Sequence, residues 1–308
     1  MEILYWFESI RTSFGDTFFS LITQLGEETV FIVTGLLFFW CINKKEGYYI
    51  LFVGLVGSLI NQVLKLMFRI PRPWVLDETF AIVESARAEA TGYSFPSGHT
   101  QTSVGTFGSI ARYNKNAAAR ILCISACILV PISRMYLGVH TFADVIVSFI
   151  IASILVFLMH PIVNKALNKT SSARILFAVM VFLCICALLY VYLFPFPSDT
   201  DPHNLATGMK GVNTMLGCIL GLWLTYELDE RFIHFDTRAV WWAQILKLAV
   251  GAVPLMLIKS GIKEPLYALF NGNYFADCVR YFIVVVFAGC IWPLTFKFFS
   301  KLGRKNIV

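Results

Sequence analysis

Long apolar stretches, each bounded by charged or proline-rich punctuation, leave this chain few folds other than a bundle of membrane-crossing helices. A helix needs about 20 predominantly apolar residues to cross a bilayer. Inside lipid its backbone groups must bond within their own segment. Nine segments approach that length, at roughly 20–42, 47–68, 98–113, 117–132, 141–159, 174–194, 208–226, 239–258 and 279–299. Pro71 and Pro73 end the second, because the ring and the missing N–H are incompatible with a continuing helix. Pro161 follows the fifth, and Pro195, Pro197 and Pro202 follow the sixth, while Pro254 and Pro293 fall inside helices and are expected to kink them. The expected fold class is all-α: a polytopic membrane protein of about nine transmembrane helices. Residues 1–200 form a six-helix core, and residues 201–308 add about three helices to the same structural unit.

Composition agrees, with 14% of residues charged against about a quarter in soluble domains. The net charge of +6 is explained by basic residues at membrane faces, so no nucleic-acid partner is expected. Fourteen Lys and Arg fall on one side of this topology and ten on the other, or seven once Lys65, Arg72 and Arg134 are set aside. The positive-inside rule then puts the amino terminus outside and the carboxyl terminus in the cytoplasm. Eight cysteines read as small buried hydrophobes, with neither metal-ligand spacing nor a disulfide framework. No removable signal peptide is evident, and Ile3, Leu4, Trp6, Phe7 and Ile10 suggest a short interfacial helix.

Three groups of polar residues interrupt this apolar chain on its outer side. Lys65 ends the second helix, and Arg72 lies in the proline-bracketed turn after it, so both cations can fold back onto one anion. An Arg fork holds phosphate oxygens in pairs, while Lys acts as a movable point charge. Pro96-Ser97-Gly98-His99 reads as a helix start, with Ser97 as cap and Gly98 permitting close approach. Free N–H groups there favour an anion, and His99 can protonate a leaving group. His140 and Asp144, four residues apart, share a helix face. The carboxylate can keep one ring nitrogen protonated and leave the other nucleophilic toward phosphorus. Arg134 then neutralises the equatorial oxygens of a phosphoryl group. Taken singly, basic residues at a helix end can simply face headgroups, and Ser97 can be a plain cap. A buried structural His–Asp pair is the weakest alternative, because ionisable groups at membrane depth are costly.

In this order and spacing, Lys65-x6-Arg72-Pro73, Pro96-Ser97-Gly98-His99 and Ser133-Arg134-x5-His140-x3-Asp144 resemble the type-2 phosphatidic acid phosphatase superfamily. That family includes lipid phosphatases, glucose-6-phosphatases and vanadium haloperoxidases. The likeness spans Lys65–Asp144 with no motif position substituted, and Leu25-Gly26-Glu27-Glu28 also looks like the family's first helix. The resemblance implies catalytic roles for His140 as nucleophile, Asp144 as its orienting group and His99 as general acid. It implies phosphate binding by Lys65, Arg72, Ser97, Gly98 and Arg134, with no metal and no cofactor. The implied partner is a lipid phosphate from the bilayer, in a cell membrane, with oligomeric state undetermined. Undecaprenyl diphosphate is the sharpest expectation if the source is bacterial. Phosphatidate, a sphingoid base phosphate, glucose 6-phosphate and phosphotransfer to a lipid acceptor stay open, as do a vanadate-dependent peroxidase and a non-catalytic lipid transporter.

Some features fall outside these motifs. Glu27 and Glu28 either lie in the outer interface, the favoured reading, or send one carboxylate into the cavity. Tyr93, Phe95 and Trp74 belong to an interfacial belt or line a lipid entrance. Gly217 and Gly221 suit close helix packing within the bundle rather than between subunits.

Overall fold

The computed structural model describes residues 1–302. Its regular structure is all helical, with no strand among the described residues. In order, the helices are α1 (Glu2–Ser9), α2 (Ser13–Thr23), α3 (Glu28–Leu37), α4 (Lys44–Phe68), α5 (Pro73–Leu76), α6 (Gly98–Tyr113) and α7 (Ala117–Tyr136). They continue with α8 (Phe142–Ala166), α9 (Thr170–Leu193), α10 (Pro202–Leu228), α11 (Trp241–Gly261), α12 (Lys263–Leu269), α13 (Phe275–Val286) and α14 (Phe296–Phe299). Seven spans are long and apolar enough to cross a membrane, and an eighth results if α2 and α3 count as one bent span. The 16-residue α6, the remaining expected segment, is not among these spans, so seven or eight of the nine expected segments are found among the described residues. Side chains such as Leu122, Phe157 and Leu193 on α7, α8 and α9 are exposed, as lipid-facing positions require.

Two expected boundaries move. The first segment is not one helix: it turns by 49° between Ser13–Gly26 and Glu28–Ile42. Glu27 is extended there, after a short 3₁₀ turn over Gln24–Gly26. Close packing fixes the break, because a Cβ on Gly26 would sit 2.9 Å from the His99 carbonyl oxygen and 3.0 Å from its Cβ. Pro161 does not end the fifth segment, since α8 continues through it to Ala166. A proline deletes one helical hydrogen bond, and membrane helices tolerate that loss.

The chain divides into two compact units. The first holds residues 1–32, 49–162 and 189–211. Within it, Leu4 and Phe7 of α1 pack with Phe80, Tyr136, Leu137 and Val139. Arg11 ties the same layer together, its Nε donating to the Tyr136 carbonyl at 3.0 Å and Nη1 to that of Ala81 at 2.6 Å. The Val83 N–H donates to the Leu137 carbonyl at 3.1 Å. The connection carrying His140 is thereby clamped from both sides.

The second unit holds residues 33–48, 163–188 and 212 onward. Its core is aromatic: Trp40 is fully buried and donates to the Ala288 carbonyl at 2.8 Å. Lys44 pairs with buried Asp229 at 2.5 Å. Gly217 and Gly221 face α13, where a Cβ on Gly217 would lie 2.1 Å from the Cys278 carbonyl oxygen. The glycine pair is an intrachain contact in this unit. Gly217→Val therefore forces α10 and α13 apart, and we expect a loss of about 1–3 kcal/mol. Thermal unfolding in detergent checks this, with the exposed Leu224→Val as the near-neutral control.

Candidate active site

Every residue singled out by the motifs lies in the first unit, around the carboxyl ends of α4 and α7 and the amino ends of α6 and α8. Lys65, on the last turn of α4, is buried and donates to the Tyr93 carbonyl. Arg72 sits just before α5 in extended conformation. Its guanidinium donates to the carbonyls of Thr91 at 2.7 Å, Gly92 at 3.1 Å and Val139 at 2.9 Å. Arg134 is wholly buried on the last turn of α7 and spends Nη1 on the Thr23 hydroxyl at 2.7 Å. Its Nε and Nη2 have no hydrogen-bond partner. A buried, always-charged fork left half unpaired is costly, and its unpaired donors call for an acceptor.

The α6 terminus adds donors to the same place. Ser97 caps the helix, accepting from the Thr100 N–H at 3.4 Å and the Thr100 hydroxyl at 3.0 Å. A Cβ on Gly98 would meet nothing within 4 Å. No protein neighbour demands glycine at that position, so its bare backbone serves whatever approaches the helix end. Ser97 is bound in turn to α8 through its N–H, which donates to the Asp144 carbonyl at 3.1 Å.

His140 lies between α7 and α8, almost completely buried. Arg72 Nη1 is 2.9 Å from its Nε2, and Asp144 Oδ2 is 3.5 Å from its Nδ1. A guanidinium only donates, so Nε2 bears the lone pair and Nδ1 carries the proton toward Asp144. Burial first, then the charges of Arg72 and Arg134, hold the imidazole well below its ordinary pKa. The neutral ring is the form able to attack phosphorus. Asp144 is fixed by the Ser94 hydroxyl at 2.6 Å and the Thr141 N–H at 2.7 Å, both donating to Oδ2.

His99, at the start of α6, is less enclosed, and its Nε2 has no hydrogen-bond partner. Glu89 Oε2 lies 3.7 Å from that nitrogen. Glu89 also hydrogen-bonds Glu27, and its carboxyl is pushed up by burial first and by that neighbour second. Glu27, Glu89 and His99 bring ligand atoms within 4.8 Å of one another, the kind of set that can hold a cation. Glu27 thus faces His99, against the favoured interfacial reading.

Three contributors escape a reading of the motifs: Thr23, Glu89 and Ser94. Of these, Ser94 alone carries a sequence signal, standing three residues before Ser97. Trp74 stacks near Arg72 and Arg87, and Phe95 packs edge-on against Phe68 at 5.0 Å.

Fold and site together describe a polytopic helical membrane protein in which three buried basic side chains gather beside a buried imidazole. The chain belongs to the PAP2 superfamily. The model of that superfamily matches residues 46–168, and that of the PAP2 superfamily phosphatase transmembrane extension matches residues 213–305. A probable sphingosine-1-phosphate phosphatase of Dictyostelium discoideum is 27% identical, over 73% of this chain and 57% of its own length. Undecaprenyl-diphosphatase BcrC of Bacillus subtilis is 31% identical over 38% of this chain and 57% of its own length. An undecaprenyl-diphosphatase of Sulfolobus acidocaldarius is 30% identical over 44% of this chain and 65% of its own length. The chain thus spans less than two thirds of each of these relatives. No solved structure matches.

Ser94 tests how the His140–Asp144 pair is held. A hydrogen bond to a charged group is worth about 1.5–3 kcal/mol. Ser94→Ala should therefore lower kcat roughly 10- to 100-fold while KM changes little, as measured by phosphate release.

Proposed function

We propose that this protein hydrolyses a lipid-linked phosphate or diphosphate through a phosphohistidine, in a site open to the extracytoplasmic face. The observation that carries the reading is the unprotonated His140 Nε2 beside three buried cations, two nitrogens of Arg134 being without partners. Nε2 attacks phosphorus and forms a P–N bond as the P–O bond to the lipid breaks. Lys65, Arg72, Arg134 and the amino end of α6 hold the equatorial oxygens, where the charge must be accommodated. His99 gives its proton to the departing oxygen. Water then attacks phosphorus, His99 takes the water's proton, and the P–N bond breaks to release phosphate. Asp144 steadies the ring through Nδ1 in both halves of the cycle.

Family membership and the relatives' names support a lipid substrate, and the excess of Lys and Arg on the opposite side of the membrane supports the outward orientation. The names divide between a lipid monophosphate and undecaprenyl diphosphate, the substrate expected for a bacterial source. Both belong to this proposal.

The purified protein should release phosphate from at least one of undecaprenyl diphosphate, phosphatidate and sphingosine phosphate, and keep that activity after chelation of divalent metal. A quenched reaction should trap acid-labile, alkali-stable phosphate on the wild type and none on His140→Ala. A folded His140→Ala protein that turns over at the wild-type rate sinks the proposal.

A further inference from the structure

We propose that a groove in the second unit, lined by α11, the corner after it and α13, binds an anionic phospholipid. Its phosphate sits on Lys259, Lys263 and Arg280, and an acyl chain runs along α11. The inference goes beyond the phosphatase reading and does not depend on it, since every lining residue lies outside the first unit.

The groove has a volume of about 630 Å³, within the roughly 300–1,000 Å³ of small-molecule sites. Its lining divides by chemistry. Val253, Met256 and Leu257 form an apolar wall, each more than half exposed. The span that contains α11 is the least enclosed of the seven, with 17% of its apolar stretch buried, so lipid covers this wall in a membrane. The basic residues follow the apolar ones along the helix, Lys259 standing about 9 Å beyond Val253. Lys259 Nζ and the Arg280 guanidinium lie 5.8 and 4.8 Å from the centre of the same Tyr281 ring, which gathers both charges at this end.

Nearby carboxylates leave much of this charge unanswered. Asp277 divides its oxygens, Oδ1 pairing with Arg280 Nη2 at 2.8 Å and Oδ2 accepting from the Tyr267 hydroxyl at 2.5 Å. Glu264 meets Lys263 at 3.6 Å, both side chains exposed, and such a pair contributes little. Lys259 has no ion pair among the described residues. Arg280 Nε is buried without a hydrogen-bond partner. The Ser260 hydroxyl already donates to the Met256 carbonyl at 2.8 Å. The open donors are therefore those of the cations, and they call for an anion.

The expected topology sharpens the point. It sets this end of α11 on the outer side, where seven Lys and Arg remain once Lys65, Arg72 and Arg134 are set aside, and three of the seven line this groove. The positive-inside rule works against such a cluster on that side. An apolar wall running into a basic end matches an amphiphile with an anionic head. Its phosphate accepts from the Arg fork and two lysines, and its chain covers the wall. A zwitterionic head brings its own ammonium among three cations and is disfavoured. A free anion gains nothing from the wall.

The test adds equimolar phosphatidylglycerol and phosphatidylcholine to the full-length protein in detergent and counts retained lipid by native mass spectrometry. The wild type should retain phosphatidylglycerol over phosphatidylcholine by about tenfold or more. In the Lys259→Gln, Lys263→Gln double variant the ratio should fall to within about threefold of one. Arg280→Lys should keep part of the preference, and Lys210→Gln, exposed and outside the groove, should match the wild type. Inorganic phosphate should displace no more lipid than chloride at the same ionic strength. Equal retention of the two lipids by the wild type overturns the inference without any variant having to fold. A preference unchanged in the double variant, or lost equally in Lys210→Gln, overturns it too, as does displacement specific to inorganic phosphate. All of these outcomes leave the phosphatase reading standing, because none of them measures turnover.

Discussion

Three basic side chains held out of water with few acids beside them are the constraint around which the first unit is organised. Lys65, Arg72 and Arg134 are all buried, and Asp144 is the buried carboxylate in their midst. Removing a charge from water costs several kcal/mol unless donors find acceptors. The acceptors here are mostly backbone carbonyls, from Thr91, Gly92, Tyr93 and Val139. A carbonyl inside a helix is committed to its own ladder. The chain between α5 and α6 is largely irregular because its carbonyls must turn inward. Such backbone survives at membrane depth only where protein encloses it or it lines a cavity.

That requirement explains how distant parts of the sequence become one site. Arg72 Nη1 reaches both the Val139 carbonyl and His140 Nε2, which locks the turn before α5 to the turn before α8. Ser94 and Ser97 then lock the start of α6 to Asp144, one through its hydroxyl and the other through its N–H. α7 joins by way of Arg134 and Thr23, and the bend at Gly26 lets the backbone of His99 come close. The same bonds that neutralise the cations fix the tautomer of His140. Electrostatic compensation and catalytic preorganisation are one set of contacts.

What could be read in the sequence follows from what each signal depends on. Most of the apolar spans were legible because lipid imposes length and composition directly on a segment. The order of Lys65, Arg72, His99, Arg134, His140 and Asp144 was legible because these residue types are rare in apolar chains. Contacts made by ordinary residues were not. Thr23 looks like any polar residue near an interface, and Leu25-Gly26-Glu27-Glu28 marks a resemblance without telling that the His99 backbone closes on Gly26. Glu89 lies in Arg87-Ala88-Glu89-Ala90, a stretch with no periodicity to say which way a side chain turns. The first helix was misread as continuous because apolar pattern records burial, whereas its break is set by the approach of another backbone. Pro161 misled in the opposite sense, since the cost of a proline is local and the apolar face of α8 continues past it.

The length of α6 bears on the proposed substrate. Sixteen residues rise about 24 Å, less than the roughly 30 Å of a bilayer's hydrocarbon core. Arg112, Tyr113 and Lys115 at its far end are residue types that favour a membrane interface. Under the proposed function, the Ser97–His99 turn at the other end of so short a helix suits a lipid phosphate, whose chain stays in hydrocarbon while its head reaches the turn, better than a water-soluble ester, which has to leave water.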